Sequence, residues 1–410
     1  MNPAQSKLIR LWLWGFLFIG TNYFHIIRVN VDYRDILLTF SVFILGLYTL
    51  LNAKDIKNIS YKNSIVAFFP LFMCILASII PVFIFNQSFG KAFFAQRPFY
   101  LTFLCYFPIR MAFMKNDLTF DYVKRNANFF ATIELIIVFI QCLLRNQITF
   151  TTLEFSNFVK YGASTGRLWF DGPIIIFSLF FWISDFLKGK KKYINLLKIV
   201  MSLYIFFVFS QTRMMMLGLA FIILMALLIY KGNTLRKLLI IFLVLPLLIY
   251  LFVKSNYWVM ISSAFNGSLV NTQYDTTTIR RYARELYISG FLKSYLMGMG
   301  YPHESCVAAY EAAGFYRHIF LVDNGFWGFL YVYGIFGIYY YYIVYVRSFF
   351  RAIKLYKVDN KIYYLLYFSY LIITSFSLMS FNIYEIPGFS LLLIICMMEE
   401  DSFNLKLNGV

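Results

Sequence analysis

The chain has 410 residues, of which 61% are hydrophobic, 21% aromatic and only 14% charged, and its formal net charge is +18. This composition, with a mean hydropathy of +0.69, excludes a soluble globular protein and indicates a polytopic membrane protein. Lipid cannot satisfy backbone polar groups, and the apolar runs are long and unbroken, so we predict helices rather than a barrel. The predicted fold class is all-α, a membrane helix bundle.

Apolar runs bounded by charged residues predict about twelve transmembrane helices. In chain order these runs lie near 11–27, 36–51, 65–85, 92–114, 127–144, 173–187, 196–210, 214–230, 238–253, 325–346, 362–381 and 386–398. The last run is too short to cross about 30 Å of hydrocarbon at about 1.5 Å per residue, so eleven spans is the alternative. With twelve spans, residues 1–253 would hold nine helices, residues 254–324 would form one long outer loop, and residues 325–410 would hold the last three helices and a cytoplasmic tail.

Lysines and arginines in the short loops predict the orientation. Under twelve-span threading the strongly basic loops share one face, which the positive-inside rule assigns to the cytoplasm. These loops lie near 54–62, 110–125, 188–192, 231–237 and 347–361. On the opposite, outer face arginine outnumbers lysine. Since the guanidinium fork can hold phosphate or carboxylate at two points, an anionic outer ligand is the preferred interpretation, and lipid headgroups with salt bridges are the alternative.

Four outer arginines are candidate ligand groups. Arg167 lies in a loop of small residues just before the sixth span, where functional and structural interpretations are equally open. Arg213 lies at a short hairpin tip close to hydrocarbon, where an unpartnered charge is costly. Arg280 and Arg284 share one face of a predicted amphipathic helix that opens at Thr276, and a second short helix is predicted over 305–313.

Other parts of the sequence limit the kinds of functional site that we predict. Of the five cysteines only Cys306 lies in the outer loop, so the sequence predicts no disulfide framework, metal site or cofactor. No nucleic-acid, Walker or dinucleotide motif occurs. Glu134, near the middle of the fifth span, is a functional candidate, although pairing with Arg110 or Arg97 is the favoured interpretation.

The chain resembles the bacterial O-antigen polymerases, which join oligosaccharide repeat units, and more distantly the O-antigen ligases. The resemblance rests on motif order: Ser210 to Arg213 at a span end, an arginine helix followed by Leu296 to Gly300, and Asp323-Asn324-Gly325 before Gly334 to Gly337. The long outer loop before the tenth span fits as well. Ligases typically have His-Asn where this chain has Asp323-Asn324.

The resemblance implies a multi-pass glycosyltransferase of the bacterial inner membrane. It would move a growing sugar chain from undecaprenyl pyrophosphate onto the next lipid-linked unit, with membrane lipids and a chain-length regulator protein as further partners. Without a predicted metal, arginines would stabilise the pyrophosphate leaving group. A base must take the acceptor proton, and Asp323, His318 and Glu304 are the catalytic candidates, with helix capping as the alternative role of Asp323. A ligase or a flippase for the same lipid-linked sugars remains the alternative function.

Overall fold

The computed structural model describes residues 3–58, 63–145, 147–156, 167–210, 212–229, 276–317, 319–376 and 385–407. Within these ranges the chain is almost entirely helical. Its described strand pairing is a two-residue antiparallel ladder of β1 (Phe155–Ser156) with β2 (Arg167–Leu168). The predicted ninth span, 238–253, lies outside the described residues.

The described helices follow the apolar runs of the sequence. They are α1 (Pro3–Gly20), α2 (Tyr33–Leu51), α3 (Ile65–Phe85), α4 (Phe89–Ala95), α5 (Arg97–Leu104), α6 (Tyr106–Met114), α7 (Phe120–Leu144), α8 (Pro173–Leu187), α9 (Lys192–Tyr204), α10 (Arg213–Ile229), α11 (Thr276–Lys293), α12 (Val307–Ala312), α13 (Gly325–Tyr341), α14 (Arg347–Asp359), α15 (Ile362–Ser375) and α16 (Glu385–Leu407). Short π-helical turns, Ile205–Ser210 and Tyr342–Val346, continue α9 and α13.

In the described part of the chain, 5 helical stretches are long and apolar enough to cross a membrane. They are α2, α3, α7, α9 with its π turn, and the continuous stretch from α13 through α14. Shorter apolar helices, α8, α10 and α15, lie among them. An all-α chain with helices suited to a membrane is therefore confirmed.

The first apolar run differs from the prediction. In place of a span over 11–27, α1 begins at Pro3 and ends at Gly20. Asn22 then has a φ of 47°, and the left-handed conformation continues through His25. Asparagine adopts this conformation more readily than most residues, and a left-handed residue ends a helix whatever the hydropathy of the residues beyond it.

Two other runs also differ from their predictions. The run at 92–114 forms three helices, with breaks at Gln96 and Cys105, and prolines follow each break within three residues. The last helix, α16, has 23 residues because it continues through charged residues beyond 398. At about 1.5 Å per residue it is long enough for a crossing, so its apolar run underestimated its length.

Loops predicted on the same face contact one another. On the predicted outer face, the loop after α1 contacts the loop between α7 and α8, because Thr152 N donates to His25 O at 2.6 Å. The loop between α7 and α8 also contacts the hairpin between α9 and α10, because Ser210 Oγ donates to Phe170 O at 2.9 Å. On the predicted inner face, ion pairs join loops in the same way: Lys115 with Asp55 and Lys124 with Asp185, both at 2.6 Å. In each of these four contacts, both loops are ones that the charge pattern predicts on the same face.

The tenth predicted span, α13, is broken at Gly334, whose φ of 58° and ψ of −142° are not helical. In an unbroken helix the Ile335 amide would donate to the Tyr331 carbonyl. Here Ile335 N donates to Tyr295 O at 2.8 Å, and Tyr331 O accepts from Met299 N at 2.7 Å. A segment of the outer loop therefore replaces both helical partners.

The same segment also binds α3. Pro81 has no N–H, so the Ala77 carbonyl lacks its helical donor, and Tyr301 N supplies one at 2.8 Å. Gln87 extends the contact, since its Nε2 donates to Tyr301 O at 2.9 Å and its Oε1 accepts from His303 N at 3.0 Å. We call residues 295–303 the docked segment.

The docked segment contacts α3 within the helix rather than at its end. Ala77 precedes the end of α3 at Phe85 by about two turns, or about 12 Å. The hydrogen bonds to α3 and α13 satisfy part of the non-helical backbone of the docked segment. Gly298 and Gly334 allow the close approach: a Cβ at Gly298 would lie 2.4 Å from Val332 O, and one at Gly334 2.5 Å from Gly298 N.

Candidate functional site

The docked segment positions the predicted acids of the outer loop. Asp323 is exposed and lies in a 3₁₀ turn, Val322–Asn324, that leads into α13. Asn324 occupies the N-cap position, and no side-chain hydrogen bond caps this helix, so capping does not account for Asp323. Glu304 is also exposed and follows the docked segment directly. Among the described residues no hydrogen bond or ion pair joins these two acids, and His318 lies outside the described residues.

The predicted arginine helix is present as α11 and packs on α13. Buried Tyr287 of α11 lies with its ring centroid 5.1 Å from that of Tyr331. Arg284 is exposed on this helix, whereas the side chain of Arg280 lies outside the described residues. The helix predicted over 305–313 is confirmed as the slightly shorter α12. The arginine helix is therefore held against the broken span rather than standing free in the loop.

Arg317 is engaged within the loop itself. Its guanidinium carbon lies 5.6 Å from the centroid of the Tyr282 ring, and its Nη1 donates to the Tyr282 hydroxyl. This contact joins the end of the loop before α13 to α11.

Arg167 and Arg213 belong to one corner of the predicted outer face. The backbone of Arg167 lies in β2, which contacts the π turn that ends at Ser210, and Arg213 begins α10 three residues later. The bond from Ser210 Oγ to the Phe170 carbonyl joins the two segments. The side chains of both arginines lie outside the described residues, so the structure gives the position of their backbone only.

Arg145, which the sequence analysis did not single out, lies at the same corner. Its guanidinium carbon is 5.2 Å from the ring centroid of Phe209, next to Ser210. Its Nη1 is buried and has no hydrogen-bond partner among the described residues. A buried guanidinium N–H without an acceptor is a donor available to an anionic ligand.

A cavity of about 250 Å³ opens beside this corner, between the α1–α2 turn, α7 and the loop that carries β2. Its lining is polar and aromatic, with three carboxylates. The lining residues are Gly20, Asn22, His25, Tyr33, Glu134, Thr152, Leu153, Glu154, Trp169, Phe170, Asp171, Gly172 and Pro173.

Glu134 and His25 meet in the cavity wall. Glu134 Oε1 lies 3.4 Å from His25 Nε2, and the Glu134 side chain is 1% exposed. Glu134 Oε2 and His25 Nε2 have no hydrogen-bond partner in the described structure. The predicted pairing of Glu134 with Arg110 or Arg97 is therefore wrong.

The two arginines have other partners. Arg110 pairs with Glu399 at 3.1 Å and Glu400 at 3.0 Å, and Arg97 pairs with Asp35 at 2.9 Å. Because α1 ends at Gly20, the residues beyond it fold back over α7, and His25 rather than an arginine reaches Glu134. Sequence reasoning missed His25 because it lay inside a predicted span, although Asn22 three residues before it and Arg28 three residues after it were a usable signal.

The turn that carries His25 is strained. Asn22, Tyr23, Phe24 and His25 all have positive φ, and a left-handed residue other than glycine costs roughly 1–2 kcal/mol. Hydrogen bonds hold the turn: the Thr21 hydroxyl accepts from Phe24 N at 3.3 Å, and His25 O accepts from the Thr152 amide. Such strain persists only where the surroundings fix it, and it is common at functional sites.

A salt bridge also stabilises the far end of this connection. Asp32 caps α2 by accepting from Arg34 N at 3.0 Å, and it pairs with the Arg34 guanidinium at 2.8 Å. Partial burial acts to raise the pKa of Asp32, but the hydrogen bonds and charge of Arg34 outweigh it, and the pKa is lowered. Asp32 is therefore a structural anchor of the turn.

Among the described residues, no group of three or more His, Cys, Asp or Glu side chains is arranged to hold a metal ion. No protein-family model matches the chain, and no curated protein matches it. Function is therefore inferred from the residues and their geometry.

Proposed function

We propose that the protein is a multi-pass glycosyltransferase of the bacterial inner membrane that polymerises lipid-linked oligosaccharide repeat units into a surface polysaccharide. The proposed architecture has twelve spans with both termini in the cytoplasm, and residues 254–324 form the outer loop. The supporting observation is the docked segment, which fixes the arginine helix α11 and the entrance of α13 to the membrane-level bundle. A substrate carried on a membrane lipid presents its pyrophosphate at this level.

The proposed reaction uses the outer arginines for the leaving group. The acceptor hydroxyl oxygen attacks the anomeric carbon of the donor sugar, the bond from that carbon to the pyrophosphate oxygen breaks, and undecaprenyl pyrophosphate leaves with the electron pair. Arg280 and Arg284 of α11, together with Arg167, Arg213 and Arg145 at the corner described above, are the proposed donors to that developing charge. One preorganised donor of this kind contributes about 2.7–4 kcal/mol to transition-state stabilisation.

Asp323 is the proposed base. Its carboxyl group is exposed just before α13 begins, and it would take the proton of the attacking hydroxyl. His318 and Glu304 are the other candidates for this role.

A second candidate function is a flippase for the same lipid-linked sugars. The break of α13 at Gly334 favours it, because many transporters build substrate sites from discontinuous helices. Its weakness is that the described hydrogen bonds fill the break with the docked segment, so little of the freed backbone is left for a substrate.

Deletion of the gene followed by gel analysis of surface glycans tests these functions. Loss of a polymerase leaves single repeat units attached to the surface acceptor, whereas loss of a ligase leaves the acceptor bare. Loss of a flippase strands the units on the inner leaflet. A normal glycan ladder in the deletion strain would contradict the proposal.

A further inference from the structure

The cavity beneath the α1–α2 turn has no role in the reaction proposed above. At about 250 Å³ it is slightly smaller than the roughly 300–1,000 Å³ of typical small-molecule pockets. It can therefore hold one small ring but not an oligosaccharide.

The lining of the cavity indicates the chemistry of its ligand. The acidic residues Glu134, Glu154 and Asp171 line the cavity with the polar residues Asn22 and Thr152, and no lysine or arginine is among the described lining residues. The neighbouring side chain of Arg167 lies outside the described residues. A wall rich in carboxylates repels an anion, whereas a neutral polyhydroxylated ligand can donate several hydrogen bonds to it.

The wall of the cavity contains buried polar atoms without a hydrogen-bond partner. Glu134 Oε2 and His25 Nε2 are buried without hydrogen bonds in the described structure. Leaving such groups unsatisfied is costly, and more so for a carboxylate within a span. A ligand hydroxyl that reaches this depth would satisfy both residues at once.

The mouth of the cavity offers an aromatic surface. Trp169 lines the cavity and is 63% exposed. A large exposed indole beside a polar cavity is suited to a ligand with one apolar and one hydroxylated side. The C–H face of a pyranose ring provides this combination.

We propose that this cavity binds one neutral sugar residue, with hydroxyls bonded to Glu134 and His25 and its C–H face against Trp169. The inference rests on the proposed function only in taking that sugar to be part of the lipid-linked repeat unit. The remainder follows from the depth, charge and aromatic mouth of the cavity.

The test is direct binding to the purified full-length protein in lipid nanodiscs. The probes are the methyl glycosides of glucose, galactose and N-acetylglucosamine, measured by saturation-transfer NMR titration. Trp169→Ala should weaken binding of the preferred glycoside at least threefold, and Glu134→Gln at least tenfold. His25→Asn, which tolerates the left-handed backbone but removes the imidazole, should weaken it at least fivefold.

Matched controls use residues far from the cavity. Glu311→Gln removes an exposed carboxylate of α12, and Tyr193→Ala removes an aromatic ring that is 79% exposed on α9. Both should bind the glycoside like the wild type. Trp169→Ala changes an exposed side chain, so it keeps the test decisive even if Glu134→Gln is not recovered as folded protein.

The inference is overturned if no methyl glycoside binds the wild type, or if Trp169→Ala and the folded Glu134→Gln bind as well as the wild type. It is also overturned if calcium or choline occupies the cavity and the glycosides do not compete. A deletion strain with a normal glycan ladder would remove the polymerase function alone. Loss of sugar binding in the variants would then still support the cavity assignment.

Discussion

The buried charged residues Arg110 and Glu134 differ in how completely their charges are paired. Arg110, 3% exposed, is neutralised by Glu399 and Glu400 and lies where the charge pattern predicts the cytoplasmic face. At the predicted outer end, Glu134 is equally buried but has only a nearby histidine and one oxygen without a partner. The first arrangement is that of a structural ion pair, and the second is that of a ligand site.

Removing Arg110 should therefore be costly. Arg110→Met leaves Glu399 buried without its partner, and we expect the free energy of unfolding in detergent to fall by about 3–5 kcal/mol. The control is Arg97→Ala, because the Arg97–Asp35 pair is about half exposed and should change stability by no more than about 1 kcal/mol. Equal losses from the two variants would contradict the structural role of Arg110.

Asp323→Asn tests the proposed base. Asn cannot accept the acceptor proton, and since Asp323 caps no helix in the structure, insertion and thermal stability should not change. We expect a strain with this variant to show single-unit glycan on gels, with polymer reduced at least a hundredfold. Glu311→Gln, an exposed acid elsewhere in the loop, should leave the ladder intact. Normal polymer from Asp323→Asn would move the base to His318 or Glu304.

Arg213→Lys tests whether the guanidinium fork is needed. Lysine keeps the charge but cannot hold a pyrophosphate at two points, so glycan polymerisation should drop at least tenfold. Arg34→Lys is the control, since Arg34 pairs with Asp32 at the surface. A wild-type ladder from Arg213→Lys would mean that the residue only neutralises charge.

The element that organises the outer half is the docked segment. The missing N–H of Pro81 in α3 and the break of α13 at Gly334 free the Ala77 and Tyr331 carbonyls, and the docked segment supplies amides to both. Cys306, just beyond it, also contacts α3, because its Sγ donates to Phe85 O at 3.4 Å. Movement of the outer loop therefore requires these bonds to open together.

Gly334→Ala tests this coupling. Its Cβ would meet Gly298 N at 2.5 Å in a backbone region that disfavours side chains, so the docked segment must shift. We expect a lower thermal midpoint and at least tenfold faster maleimide labelling of Cys306, since the other four cysteines are buried.

The matched control for Gly334→Ala is Gly46→Ala. Gly46 lies within α2, and nothing lies within 4 Å of an added Cβ. Alanine is the better helix former there, so stability should be unchanged or higher. Similar labelling rates for the two alanine variants would show that the docked segment does not depend on the break.

At the scale of the whole molecule, the described contacts divide the loops between two faces. We expect residues 188–192 to face the cytoplasm and Cys306 to face outward. In intact cells an impermeant maleimide should label Cys306 but not a cysteine introduced by Lys191→Cys, and both should react after permeabilisation. Labelling of Lys191→Cys alone in intact cells would invert the topology.

The sequence by itself determined the all-α class and most helix positions, because hydropathy acts locally along the chain. It located α3 and α8 at their observed bounds and predicted that α11 opens at Thr276. These features need no knowledge of which helices are neighbours.

Only the tertiary structure decided which residues far apart in sequence contact one another. The pairing of Glu134 with His25 depends on where α1 ends. The docked segment depends on two positions that are far apart in sequence, the proline within α3 at Pro81 and the break of α13 at Gly334. The glycines and prolines are visible in the sequence, but the backbone carbonyls and amides that they leave without helical partners can be paired by any segment of the chain. Packing determines which segment pairs with these groups. Packing also forms the cavity between the α1–α2 turn, α7 and the loop that carries β2.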